Sequence, residues 1–223
     1  MTNRLKTKYL VIGVWCLVSG ACGGKKNSQT PTPVPTAPLP TAGLAGERVA
    51  LTPLALVAAE DSLHWDTLIA DRRATLLKSD SIITALLTAR APEVAWVSPA
   101  ELRHVARRAP GIAPDPDQMG TPFLRASNII DVPDPLRYQL RTLMGLVGGR
   151  YVMVPAGLVF RVASPGGGAT PRSTPALATA ELSVVLIDSR IGKIGWRTIA
   201  RGEGDDPWTA LTRAVKSLTP GLP

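Results

Sequence analysis

Residues 180–198 read AELSVVLIDSRIGKIGWRT. Within them, ELSVVLID is apolar at neighbouring as well as alternate positions, the pattern of a strand covered on both faces and so placed inside a sheet. Residues 194–201 alternate instead, Ile194, Trp196, Thr198 and Ala200 against Lys193, Arg197 and Arg201, which predicts a half-exposed strand. Ser189, Arg190, Ile191 and Gly192 between them make a tight hairpin turn. An antiparallel pair is therefore the anchor of the fold. Upstream, 151–161 reads as a third strand, in which Pro155 predicts a bulge or an edge position because proline has no N–H for a ladder. The glycines at 166–168 and the Thr, Pro and Ser residues after them make a flexible connection.

The helices announce their own starts. Ser98-Pro99-Ala100-Glu101 is a capping box with proline at the first helical position, opening a helix through Arg108. Asp134-Pro135 has the same syntax, for a helix to Val147 ended by Gly148 and Gly149, and so has Asp206-Pro207, for a helix to Leu218. Before these, 48–54 and 93–97 read as short apolar strands, and 74–89 places Leu76, Ile83 and Leu87, with Ile82 and Leu86 beside them, on one helical stripe. Residues 60–73 are irregular and polar. Residues 110–133 form a long proline-rich loop, of the kind that is functional or disordered. The order is β-α-β-α-α-β-β-β-α. The expected fold class is α/β, a single domain at 47–223 whose mixed sheet is parallel early and antiparallel in its C-terminal hairpin, with helices packed on its faces.

The N-terminus carries Arg4, Lys6 and Lys8, then about ten apolar residues, then Ser19-Gly20-Ala21, the order of an export signal. The apolar part is too short to span a bilayer about 30 Å thick. Residues 1–21 are thus read as a leader. Residues 22–46 hold Cys22 and a Pro/Thr-rich segment with prolines at 31, 33, 35, 38 and 40, an extended spacer with too little apolar surface to fold. Without the leader, 22 basic against 17 acidic residues leave +5 of the chain's +8. That excess favours anionic surfaces such as acidic lipid or glycan, and export argues against nucleic acid as partner. Cys16 lies in the leader and Cys22 at its end, which leaves no pair for a disulfide and no thiol for a metal site.

Few residues carry chemistry. His64 lies in EDSLHWD beside Glu60, Asp61 and Asp66, a loop that could serve a hydrolase or simply be solvated. His104 shares a helix with Arg103, Arg107 and Arg108, of which Arg103 and Arg107 fall on one face and could take an anionic group. Arg190, Lys193, Arg197 and Arg201 with Trp196 could bind nucleic acid or glycan, although Trp196 falls on the apolar side of its strand and is better used in the core. Trp65 and Trp208, at the edges of elements, are candidate interface residues. There is no G-x-S-x-G elbow and no phosphate-cradling glycine loop opening a helix, so no catalytic residue, metal or cofactor is expected.

Two resemblances add to this. LVSGACGG at 17–24 resembles the lipobox of bacterial lipoproteins, with Ser19 where that motif usually has Leu, and implies that Cys22 is cleaved free and lipidated. RVALTPL, VAWVSPAELRHVARRAP, RYVMVPAGLVF, the segment 180–198 and DPWTALTRAVKSL together resemble a group of bacterial envelope domains. That group comprises the N-terminal domain of the Tol-Pal propeller protein, the curli-secretion lipoprotein and the lipoprotein activators of penicillin-binding proteins. The likeness implies a non-enzymatic assembly or adaptor module touching other envelope proteins. Cys22 is followed by Gly23 and no acid, which implies an outer-membrane anchor facing the periplasm. The rival readings are an envelope hydrolase using the His64 loop, and a binder of anionic lipid or glycan at Arg103, Arg107 and Arg108.

Overall fold

The computed structural model describes residues 38–163 and 177–219. Cys22, the leader, most of the spacer and the glycines at 166–168 lie outside the described residues. The described strands are β1 (Arg48–Leu51), β2 (Val57–Ala59), β3 (Ala95–Val97), β4 (Tyr151–Val162), β5 (Ala178–Asp188) and β6 (Lys193–Gly204), and the helices are α1 (Arg72–Arg90), α2 (Pro99–Arg108), α3 (Leu136–Val147) and α4 (Pro207–Ser217). They build one mixed sheet in the order β3-β1-β4-β5-β6, with β2 paired to the far half of β4. β1 is parallel to β3 and β4, and β2 is parallel to β4. β4-β5 and β5-β6 are antiparallel, joined in the second case by the hairpin at 189–192.

Two cores lie on the two faces. Helices α1 and α4 cover the first through Ile83, Leu87, Leu211 and Val215, against Leu51, Met153, Phe160, Leu182 and Val184. Helices α2 and α3 cover the second through Leu102, Leu136, Leu140 and Leu143, against Val152, Val154, Val185 and Ile187. Successive residues Val184 to Ile187 of β5 alternate between these cores, which is why that half of the strand is apolar at every position, whereas Thr179, Glu181 and Ser183 leave one face of its first half partly exposed.

Pro155 does produce a bulge, though not an edge. The register steps from Pro155 opposite Val184 to Gly157 opposite Ser183, leaving Ala156 unmatched. Even-numbered residues before it, Val152 and Val154, enter the second core, whereas Leu158 and Phe160 after it enter the first. One extra residue thus exchanges the faces of a whole half-strand. A second irregularity in β6 corrects the expected alternation there. Trp196 faces Leu186 and Ile194 faces Ile187, with Gly195 between them, so Ile194 belongs to the second core and Trp196 packs on the first.

The cap signals hold at two of three helices. The Ser98 hydroxyl accepts the Glu101 N–H, and the Asp206 carboxylate accepts the N–H groups of Trp208 and Thr209. Asp134 does not cap α3, which begins after a cis Asp134-Pro135 bond; its carboxylate pairs with Arg137 at 3.2 Å. Gly148, left-handed at φ 80°, ends α3 as the sequence requires.

Three regions are more structured than their composition indicates. Leu39 and Leu44, within the expected spacer, are buried in the first core, and the Leu39 N–H donates to Leu218 O at 2.7 Å. The loop at 110–133 buries Met119, Leu124 and Val132 under the second face. Residues 57–59, between the strand expected at 48–54 and the irregular stretch expected at 60–73, supply β2. Among the described residues no helix is long and apolar enough to cross a membrane.

Candidate interaction surface

The arginines predicted on α2 go to different places. Arg103 lies between two carboxylates, donating to Asp80 at 2.7 Å and to both oxygens of Asp117, with a shortest distance of 2.7 Å. Asp80 itself is buried on α1 and accepts the Leu54 N–H at 2.8 Å. Burial pushes the Asp80 carboxyl above the usual carboxylate range, against the pull of the Leu54 N–H and of Arg103. The hydrogen bond from Arg103 to Asp117, opposed by burial and reinforced by Asp80, holds the guanidinium well above its ordinary value. Arg103 is therefore a clasp between α1, α2 and the turn at Pro116–Gln118, already supplied with anions.

Arg107 and Arg108 are exposed. Arg107 lines, with Arg103, Arg72 and Arg73, a cleft of about 640 Å³ that also holds Asp115 and Asp117. Arg108 does not share this lining. Four arginines against two aspartates leave this cleft basic, but Arg103 is engaged by Asp80 and Asp117 and Arg108 lies outside it, so the three arginines expected to act together are divided.

The two tryptophans also separate. Trp65 is 7% exposed and meets Phe160 edge-to-face at 5.3 Å, so it is core and not interface. Trp208 is half-buried, with the Lys78 ammonium 4.1 Å above its ring. His64 is exposed in a left-handed turn at φ 52°, with Asp61 and Asp66 exposed nearby. Among the described residues no three of His, Cys, Asp and Glu come together as metal ligands.

The basic row of the last hairpin is dispersed as well. Arg197 crosses the edge of the sheet to donate to the carbonyls of Ala126 and Ile129, and burial lowers its guanidinium. Arg201 donates to Glu181, which also takes Arg161 at 3.0 Å. Burial raises Glu181, but these two arginines outweigh it and hold the carboxyl below its usual range.

A different arginine cluster is one that no spacing in the sequence reveals. Arg48 from the start of β1, Arg141 from α3, Arg150 just before β4 and Arg190 from the hairpin turn line a cleft of about 490 Å³, with Glu47 as its acidic member. Arg150 is held by Asp188 at 2.6 Å and lies 5.0 Å above the Tyr151 ring. Burial would raise Asp188, yet the hydrogen bonds from Arg150 and the Arg190 N–H keep it below the usual carboxylate range. Arg48 donates to Val147 O at 2.8 Å, which both positions the guanidinium and satisfies a carbonyl at the end of α3. Arg141 and Arg190 are exposed, without an ion-pair partner among the described residues. They also border an adjoining pocket of about 270 Å³ with Arg137, Tyr138 and Ile191. Tyr138 is 72% and Ile191 59% exposed.

No protein-family model matches this chain, and no curated protein does. Solved structures similar to it include the LpoB C-terminal domain from Salmonella enterica, at 14% identity over 73% of this chain and 84% of that one, with a TM-score of 0.31. Another is lipoprotein GNA1162 from Neisseria meningitidis, at 16% identity over 71% of this chain and 83% of that one, TM-score 0.34. A third is a dodecamer of PelC from Paraburkholderia phytofirmans, at 13% identity over 83% of this chain and 94% of that one, TM-score 0.35. Likeness at this level speaks to neither activity nor partner.

Proposed function

We propose that this chain is a lipid-anchored protein of the bacterial cell envelope whose mixed α/β domain is a non-enzymatic assembly or adaptor module, held by Cys22 on the periplasmic face of the outer membrane. The observation that carries this reading is the order at the N-terminus: a basic start, a short apolar run, small residues, Cys22, and then a proline-rich stretch that runs up to Leu39, the first buried residue among those described. Two or three acyl chains make a stable anchor where a single chain binds only marginally. The arrangement of ionisable groups supports the adaptor half of the reading. Asp80, Glu181 and Asp188, whose carboxyls are the shifted ones at the sites above, each serve an arginine, and Arg103 and Arg201 are used in holding elements together.

The deciding experiment is the mass of the N-terminal peptide from the membrane fraction of the native host. A peptide beginning at Cys22 with two or three acyl chains is the expected result, and an unmodified Cys22 overturns the anchor. The rival hydrolase reading is tested by the triple variant Asp61→Ala, His64→Ala, Asp66→Ala. An adaptor keeps its cellular phenotype with these three changes, and a hydrolase of that loop loses it.

A further inference from the structure

We infer that the cleft formed by Arg48, Arg141, Arg150 and Arg190 is a docking site for the phosphate groups of anionic phospholipids. Choosing a bilayer as the source of phosphate rests on the lipid-anchor reading of Cys22; the anion chemistry of the cleft does not.

Four guanidiniums converge here from four separate parts of the chain. Of the three acids beside them, Asp188 is engaged by Arg150, Asp134 in the adjoining pocket is paired with Arg137, and Glu47 lines the cleft itself as a further negative charge. Arg48 and Arg150 are fixed by Val147 O and Asp188, whereas Arg141 and Arg190 point outward unpaired among the described residues. Two held cations and two free ones make a site that is partly preorganised and still able to close on an oxyanion, for which arginine offers a planar fork of donors. Tyr138 and Ile191 beside it are exposed apolar groups of the kind that enter the boundary between headgroups and acyl chains, while arginine stems reach the phosphates.

The place of this cleft in the fold selects a membrane as the partner. The folded chain begins at the same end of the sheet. The Leu39 N–H donates to Leu218 O, the Gly46 N–H donates to Glu93 O just before β3, and Glu47 lines the cleft. An anchor that precedes residue 38 therefore joins the domain at the end where the arginines are.

The test uses the whole mature chain, residues 22–223, with Cys22→Ser so that no acyl chain contributes, in sedimentation with vesicles of phosphatidylcholine with and without phosphatidylglycerol. Binding to the phosphatidylglycerol vesicles alone is expected. The pair Arg141→Ala, Arg190→Ala is expected to weaken it roughly thirtyfold, about the worth of two basic residues at an anionic surface. The pair Arg141→Lys, Arg190→Lys is expected to retain most of it, and Arg107→Ala, Arg108→Ala, outside the cleft, all of it. No binding to phosphatidylglycerol, or binding that the alanine pair leaves unchanged, overturns the inference. Binding of inorganic phosphate by the same chain without binding of the vesicles overturns the membrane as the source. Since Cys22 is replaced throughout, failure here leaves the mass of the native N-terminal peptide to decide the anchor by itself.

Discussion

Arg103 shows how a residue of apparent binding character is spent on structure. Its side chain is 16% exposed and that of Asp80 only 6%. Removing the guanidinium would leave a buried carboxylate on α1 with one N–H partner, and a broken buried pair costs about 3 to 5 kcal/mol. Arg103→Ala is expected to lower stability by about 3 kcal/mol in urea denaturation, and adding Asp80→Asn, which still accepts the Leu54 N–H, should recover a large part. The caps allow a pH prediction at the same scale. Burial would raise Asp206, but hydrogen bonds from Thr209 and Trp208, with the Lys78 charge nearby, outweigh it and lower its carboxyl. A carboxyl with a lowered folded-state pKa stabilises the protein above its unfolded value, near 3.9, and that stabilisation is lost as pH falls through the folded value. Asp206→Ala should therefore cost stability at neutral pH and flatten the acid limb of a stability-against-pH curve, because the variant has nothing left to protonate there.

At the scale of elements, α4 and β6 approach each other backbone to backbone over two glycines. A Cβ on Gly202 would collide with the backbone of Ala210, Arg213 and Ala214, and one on Gly204 would lie 2.5 Å from Ala210 N. Backbone cannot yield as a flexible side chain can, so Gly202→Ala should push the helix outward and lower stability by about 1 to 3 kcal/mol, read as a fall in melting temperature. Much of this layer is legible in the sequence. Ser98, Asp206 and Gly148 mark their helix ends by local hydrogen bonding and backbone preference alone. The stripe of α1 was only half legible. Ile83 and Leu87 are buried as its period predicts, but Leu76 is half-buried while Thr75, Ser79 and Asp80 take the inner face of the first turns. The partners of Asp80, a backbone N–H at 54 and a guanidinium at 103, are remote in the chain, so helical periodicity cannot find them.

For the whole molecule, the folded unit reaches further toward the N-terminus than composition marks. A chain shortened to begin at Glu47 would lose Leu39 and Leu44, 6% and 2% exposed. At about 1.5 to 3 kcal/mol for each buried leucine, it should be measurably less stable in urea than a chain beginning at residue 38, and a result of equal stability would remove these residues from the core. Prolines at 38 and 40 conceal this, since a spacer and a docked extended segment share one composition; only the two leucines differ. The sequence by itself determined the order of elements apart from β2, the antiparallel hairpin and the two-faced burial of the second half of β5, because periodicity, caps and turns act over a few residues. Tertiary structure alone decided which face each half of β4 and β6 covers, since a single bulge residue inverts the alternation. It also decided that Arg103 is a clasp and Trp65 is core, and that Arg48, Arg141, Arg150 and Arg190 share a cleft. Charges separated by scores of residues meet only where the chain's path brings four elements to one end of the sheet.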